Sequence, residues 1–440
     1  MPSATPASLV REHALSGGAK AIVTAPSLDA VIATCIGVYA LESSLPEIPG
    51  ELEVLLEWMQ RGTKHHSREA LGNAFGALGI TPVLTSMNGG VTFVLQCLDA
   101  CREPALQLAR ELLYEPLFDE DELQNVLQEF DEDDRSCTDD PGEITSRAQL
   151  RARWSGTMLS APANGTVRTR RQLTPAYLKA LHAKIFTQPS LVGIGTSYPD
   201  AWLRDTERWL LQDRPARRFD YRPAERAVLP AKPRDLVVNV PTMEHAAVLR
   251  FCPGPSGTMR ELAAAKLHHE ALTDGMSAPL MAELRGQLAL SYSVSSGLVD
   301  RNDMWDQLYE VEPEPARVEA ALEAAEALWQ RKDLLAEEDI RRGRAQIAMS
   351  TRLRSIDASS VILTAMREDL LRGRPLDWRD TFADELQQVG TEEAIAAAQR
   401  YGLSQPAICT IIVGPVKQLP KTYRSDAMDL KTLFEGWTLD

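Results

Sequence analysis

Two pairs of histidines are the most reactive-looking groups in this sequence: His65-His66, with Glu69 close behind, and His268-His269, followed by Glu270. A metal-binding helix places its histidines three or four apart so that both rings face one ion. Adjacent positions point about 100° apart on a helix, so neither pair can serve one metal, and both are expected as surface or loop histidines. Cys97 and Cys101 have a workable i, i+4 spacing, but no second thiol or imidazole pair lies near them in sequence, which argues against zinc there. Glu53 and Glu57 are also four apart, while Glu122 and Glu129 lie two turns apart on one face of a helix. Carboxylates alone would suit a hard cation better than zinc, and these are expected to be paired or solvated. The sequence has no G-x-S-x-G, Walker loop or dinucleotide fingerprint, which excludes the common serine-hydrolase and nucleotide-enzyme designs.

The elements that would position these groups follow from periodicity. KAIVTAP and DAVIATCIGVYALE read as strands broken at Pro26 and Ser27 and predict a hairpin. A helix is expected from Ser67 to Leu78, then strands Thr81 to Ser86 and Val91 to Leu98 joined through Asn88-Gly89, then a helix opened by Pro104 and ending before Pro116. After Phe118, Asp119 and Glu122 make a capping-box-like start, and Leu123, Val126, Leu127 and Phe130 recur at helical spacing. LVGIG (Leu191 to Gly195) reads as a buried strand, followed by a helix carrying Trp202, Trp209 and Leu210. Residues 213–234 hold four prolines and many charges without apolar period, which marks a linker.

The second half repeats the grammar of the first. Leu117-Phe118-Asp119-Glu120-Asp121-Glu122-Leu123 parallels Leu334-Leu335-Ala336-Glu337-Glu338-Asp339-Ile340, and Val192-Gly193-Ile194-Gly195 parallels Ile411-Ile412-Val413-Gly414. Two homologous α+β halves, residues 1–212 and 235–440, are therefore expected, each a mostly antiparallel sheet with helices packed on one face.

Composition fits this reading. The 440 residues are 44% hydrophobic and 25% charged, with a formal net charge of −15. An acidic surface of that size opposes nucleic acid and anionic lipid, and favours basic peptides or a basic partner. The six cysteines are scattered and partly in apolar contexts, as expected of reduced thiols. No stretch has the apolar core of a signal peptide or the roughly 20 apolar residues of a membrane span, so a cytoplasmic location is expected.

The whole arrangement resembles the insulinase/pitrilysin-like zinc metallopeptidases, in particular the small two-half bacterial type. The resemblance rests on the Gly62-Thr63 step after a helix, the Phe118-to-Leu123 helix start, Asp140-Pro141, Tyr198-Pro199-Asp200, and the segment from Arg285 to Tyr292. An active member carries HxxEH before the glycine-threonine step, two histidines binding zinc and the glutamate acting as general base. Matched on Glu57 and Met59, the histidine positions are Val54 and Trp58; counted back from Gly62-Thr63 they are Glu53 and Glu57. Neither register holds a histidine. Glu129 matches the family's third zinc ligand, so half a site remains, with Val54, Glu57, Trp58 and Glu129 as its degenerate positions.

Arg285 and Tyr292 resemble the family's arginine-tyrosine pair, with Ala289 where a glycine is usual. The resemblance implies a non-catalytic, substrate-binding subunit of a heterodimeric metallopeptidase that cleaves short unfolded peptides. This chain would supply Arg285 and Tyr292 and bind no cofactor, and zinc and base would come from a homologous subunit bearing HxxEH. The alternative is a structural or peptide-binding protein of the same fold with no part in proteolysis.

Overall fold

The computed structural model describes residues 10–16, 20–24, 32–41, 46–87, 90–214, 231–301, 304–329, 331, 333–354, 361–362, 366, 374–375, 378–401, 406–424 and 426–437. The turn expected at Asn88-Gly89, the break at Pro26 and Ser27, and most of the 213–234 segment lie outside these residues. The chain forms two compact units that interleave in sequence. One holds residues 1–132, 163–227 and 352–378, and the other residues 133–162, 228–351 and 379–440.

The first unit is built on strands β1 (Val10–Ala14), β2 (Lys20–Thr24), β3 (Ile32–Ala40), β4 (Val83–Met87), β5 (Gly90–Leu98) and β6 (Leu191–Gly195), in the spatial order β1-β2-β6-β3-β5-β4. The β2–β6 pairing is parallel and the others are antiparallel. Both strands expected near the N-terminus form, but the hairpin between them does not. β6 lies between them, pairing with β2 at Lys20↔Leu191 and with β3 at Val38↔Leu191. All five residues of β6 are buried, and a strand with no polar face gains most from the centre of a sheet. The hairpin that does form joins β2 to β1, a strand that sequence reasoning overlooked.

Helices α1 (Glu51–Met59), α2 (Arg68–Ala77), α3 (Arg102–Tyr114) and α4 (Glu120–Ser136) form, α2 and α3 within two residues of the expected spans and α4 starting just after Phe118 as expected. They cover one face of the sheet, where Leu55, Trp58, Leu106, Leu113 and Leu123 pack with Cys35, Tyr39, Phe93 and Leu95. Over the other face, Ile22, Ile36, Val38 and Leu191 are sealed by Ile362 and Met366. Gly193 makes room for that seal, since a Cβ there would lie 2.1 Å from Ile362 Cγ2 and 2.4 Å from Met366 Sδ.

In the second unit, β7 (Leu236–Asn239), β8 (Ala247–Pro253), β9 (Val294–Arg301), β10 (Met304–Val311) and β11 (Cys409–Gly414) run in the order β7-β11-β8-β10-β9. This is the first sheet's connectivity without β1, down to the single parallel pair, β7 with β11. The helix matching α4 begins at Glu337, in step with the repeat seen in sequence. The two-sheet α+β architecture is therefore as expected.

One face of the second sheet packs against helix Met259–Thr273 through Val248, Cys252, Leu267 and Leu272. The other face is covered by α5 (Pro141–Arg153), whose Ile144, Ala148 and Ala152 pack with Leu249, Phe251, Ile411 and Val413. A buried ion pair ties α5 to β10, with Arg153 Nε and Nη2 on the Asp306 carboxylate at 2.5 and 2.9 Å. The six cysteines are free thiols, four of them buried.

Candidate functional site

The degenerate zinc motif lies on α1. Gly50 starts the helix at φ 92, a left-handed conformation that suits glycine, and an added Cβ there would come within 2.7 Å of the Asn164 carbonyl. Glu51 then fixes the first turn, accepting from the backbone N–H groups of Glu47 and Ile48, each at 3.0 Å, and from the Tyr177 hydroxyl at 2.5 Å.

From that start, α1 turns Val54 and Trp58 into the core, where they are 0% and 1% exposed. The Trp58 indole N–H donates to the Asp119 carbonyl at 2.6 Å, and its ring packs 4.7 Å from that of Phe118. Phe118 holds a left-handed φ of 56, which sets its ring over Trp58 just ahead of α4. Asp119 caps α4 by accepting from the Asp121 and Glu122 N–H groups at 2.8 and 3.3 Å, as its place in sequence predicted. The two positions that hold histidines in the first register therefore serve packing.

The second register fares no better as a metal site. Glu53 accepts from the Ser86 hydroxyl on β4, while Glu57 turns to Arg61, one turn further along. Arg61 is the residue that sequence reasoning missed. Its side chain is 3% exposed and its guanidinium bridges Glu57 and Glu129: Nη2 lies 2.6 Å from Glu57 Oε1, Nη1 lies 3.0 Å from Glu129 Oε1, and Nη2 also bonds Glu129 Oε2. The signal was available, because Glu57 and Arg61 are an i, i+4 acid–base pair.

Burial opposes the charge of Arg61, but its hydrogen bonds to Glu129 and the charge of Glu57 outweigh that and raise its pKa, so it stays a cation. In return the Arg61 hydrogen bonds hold the Glu129 carboxyl below its usual range. A positive charge is thus already fixed between the two surviving carboxylates of the motif.

These residues do not fit a catalytic zinc. Such a site needs three protein donors, preferably nitrogen or sulfur, and a free coordination position. Val54 has no donor atom, and the indole N–H of Trp58 has no lone pair to give a metal. Both carboxylates are engaged by a guanidinium.

The histidines play other parts. His65 and His66 each face their own carboxylate, Glu115 at 2.9 Å and Glu111 at 2.8 Å. His268 and His269 are not surface residues as expected; they are 5% and 1% exposed within helix Met259–Thr273. His269 is bonded by Ser296 and Gln307, each at 2.9 Å, whereas neither ring nitrogen of His268 has a partner among the described residues. Burial lowers their pKa values to about 3 for His268 and about 4 for His269, keeping both neutral.

Arg285 and Tyr292 come together in the second unit. Arg285 lies in a π-helical stretch, Ala282–Gln287, whose wide turn closes with the Leu288 N–H on the Glu283 carbonyl at 2.9 Å. The chain then reverses through Ala289 at φ 46 and enters β9 two residues beyond Tyr292. The Tyr292 N–H donates to the Glu312 carbonyl at 2.9 Å, and His245 meets the phenol ring edge-on at 5.6 Å. This framework sets the Arg285 guanidinium 5.2 Å from the Tyr292 ring centroid, a cation–π contact, with Met276 Sδ 3.7 Å from Nη1. Among the described residues no carboxylate pairs with Arg285, so its N–H donors are available to a carbonyl or carboxylate from outside.

Residues 172–347 match the family described as the peptidase M16 inactive domain. That stretch, under half of the chain, is similar to an M16 inactive domain. Among solved structures, the peptidase M16 inactive domain of Pseudomonas fluorescens is 20% identical, with a TM-score of 0.75 over 92% of this chain and 98% of that one. A protease from Helicobacter pylori is 14% identical, also at 0.75, over 92% and 99%. A periplasmic protease from Escherichia coli is 17% identical at 0.69, over 92% of this chain and 45% of the longer one. At these identities the likeness establishes the fold. None of the curated proteins compared with the chain matches it. No helix among the described residues is long and apolar enough to cross a membrane.

Proposed function

We propose that this chain is the non-catalytic, substrate-binding subunit of a two-chain zinc metallopeptidase acting on short, unfolded peptides in the cytoplasm. The observation that carries the reading is the state of α1: Val54 and Trp58 are core residues, and Arg61 bridges Glu57 and Glu129. With no donor set for zinc, chemistry has to come from another chain, a homologous subunit bearing HxxEH that supplies the metal and the general base. This chain contributes Arg285 and Tyr292 to substrate binding. The arginine holds a peptide carbonyl or carboxylate, and the phenol is placed to donate to the oxyanion that forms at the scissile carbonyl.

Arg285 and Tyr292 are both solvent-exposed and stack on each other, which supports a binding role over a structural one. The test is co-expression with an HxxEH-bearing homologue from the same cell. A stable pair should form and cleave peptide, and Arg285→Ala should lower its turnover at least about tenfold, as for loss of a transition-state contact. Full turnover in Arg285→Ala removes that residue from the mechanism, and failure to pair with such a homologue removes the subunit assignment.

A further inference from the structure

The surroundings of Arg285 narrow the kind of peptide it takes. Exposed large apolar side chains usually mark a contact surface when they gather in one patch. Among the described residues of the second unit four are exposed: Met276 at 68%, Leu288 at 43%, Tyr292 at 62% and Met349 at 57%. Two of them, Met276 and Tyr292, touch the Arg285 guanidinium, and a third, Leu288, follows it three residues on at the end of the same helical turn. A thioether and an aromatic face hold the cation in place without neutralising it.

The surrounding acids do not neutralise it either. Glu283 is paired with Arg331 at 3.7 Å, and no carboxylate among the described residues lies within ion-pair reach of Arg285. In a chain with 62 acidic and 47 basic residues, a guanidinium left without an acid partner beside an apolar patch is suited to an external anion that arrives attached to an apolar group.

We propose that the Arg285 patch is a receptor for the free C-terminal carboxylate of a peptide whose last side chain is apolar. The carboxylate takes the planar fork of Arg285, and the last side chain rests on Met276, Leu288 and Tyr292. The net charge of −15 draws in peptides with a basic body; of the cations nearby, Arg331 is held by Glu283 and Arg317 by the Ala289 carbonyl, which leaves Arg285 to select the terminus. This inference rests on the peptide-binding reading of Arg285 and adds which part of the peptide is held.

The test uses the full chain alone and a labelled ten-residue peptide of Gly, Ser and Lys ending in Phe, as the free acid and as the C-terminal amide, with a third peptide ending in Ser. Fluorescence anisotropy should show the Phe free acid binding at least about tenfold tighter than its amide, since a charge-assisted contact is lost. Arg285→Ala should abolish the difference between acid and amide, and Arg285→Lys should restore part of it. Leu288→Ser, which leaves the Met276 and Tyr292 contacts of Arg285 in place, should weaken the Phe peptide toward the Ser peptide while leaving the acid–amide ratio intact. These side chains are exposed, so the variants keep the fold. Equal binding of acid and amide, or a difference that survives Arg285→Ala, overturns the terminal-carboxylate assignment while leaving the subunit reading to its own turnover test. Binding of none of the three peptides overturns the receptor, and if the paired complex is also inactive on peptides, the subunit reading fails with it.

Discussion

Replacing Arg61 measures what the guanidinium does between Glu57 and Glu129. Arg61→Ala deletes three N–H···O contacts, but the carboxylates left behind are 38% and 50% exposed and regain water. Solvent screening therefore limits that loss to about 1–2 kcal/mol, with roughly 1 kcal/mol more from the buried aliphatic stem. The reverse change costs more: in Glu57→Ala/Glu129→Ala a guanidinium only 3% exposed keeps its charge without a partner, at about 3–5 kcal/mol. Adding Arg61→Met to that pair removes the stranded charge and should recover most of the loss.

Urea unfolding gives the order directly, and thermal melts should show the double carboxylate variant down by roughly 10 °C. The pH dependence has a definite sign. Because Arg61 holds the Glu129 pKa down, the ion pair's contribution is complete above the unfolded carboxylate pKa of about 4.3 and is lost as pH falls through the lower folded value. Wild type and Arg61→Ala should differ at neutral pH and converge in acid. If all three variants lie within about 0.5 kcal/mol of wild type, the guanidinium is an ordinary solvated side chain and the argument for an internal cation fails.

Two further predictions concern the second unit. Ala289 sits at φ 46, which costs an L residue about 1 kcal/mol, so Ala289→Gly should stabilise the protein by up to about that much; a lower melting temperature would show that the turn is not strained. His268→Leu removes a buried ring with no hydrogen-bond partner and should raise stability at pH 7 by about 1 kcal/mol. The unfolded histidine titrates near 6.5 and the folded one near 3, so the unfolded state binds the extra proton between them. Wild type should then lose about 1.4 kcal/mol per pH unit relative to His268→Leu as pH falls below about 6.5. Parallel stability curves for the two proteins would contradict the neutral, buried assignment.

The α+β class and the repeat were legible because each strand and helix carries its own period, and the two copies keep their spacing through insertions. Strand neighbours were not legible: β2 and β3 are consecutive in sequence, yet β6 separates them, since local pattern says nothing about which remote strand is apolar enough to take the centre. The same limit hid α5, whose helix signal gives no hint that it covers the second unit's sheet. The loss of the histidines could be read from residue type alone, but the ambiguity of register could not. Side-chain direction leaves neither register a metal site, with Val54 and Trp58 inward, Glu53 on Ser86 and Glu57 on Arg61. The burial of His268 and His269 could have been foreseen. Ala264, Ala265, Leu262 and Leu272 flank the two rings at helical spacing, while the charged Lys266 and Glu270 lie on another side of the helix, so the histidines share the buried face.

The proposed function depends on α1 holding an internal guanidinium and no metal. Elemental analysis of the purified chain, after equilibration with zinc and removal of loosely held ions, tests it most directly. The account predicts zinc far below one equivalent per chain, unchanged in Glu129→Gln. One tightly held zinc per chain, lost on Glu129→Gln, would contradict it.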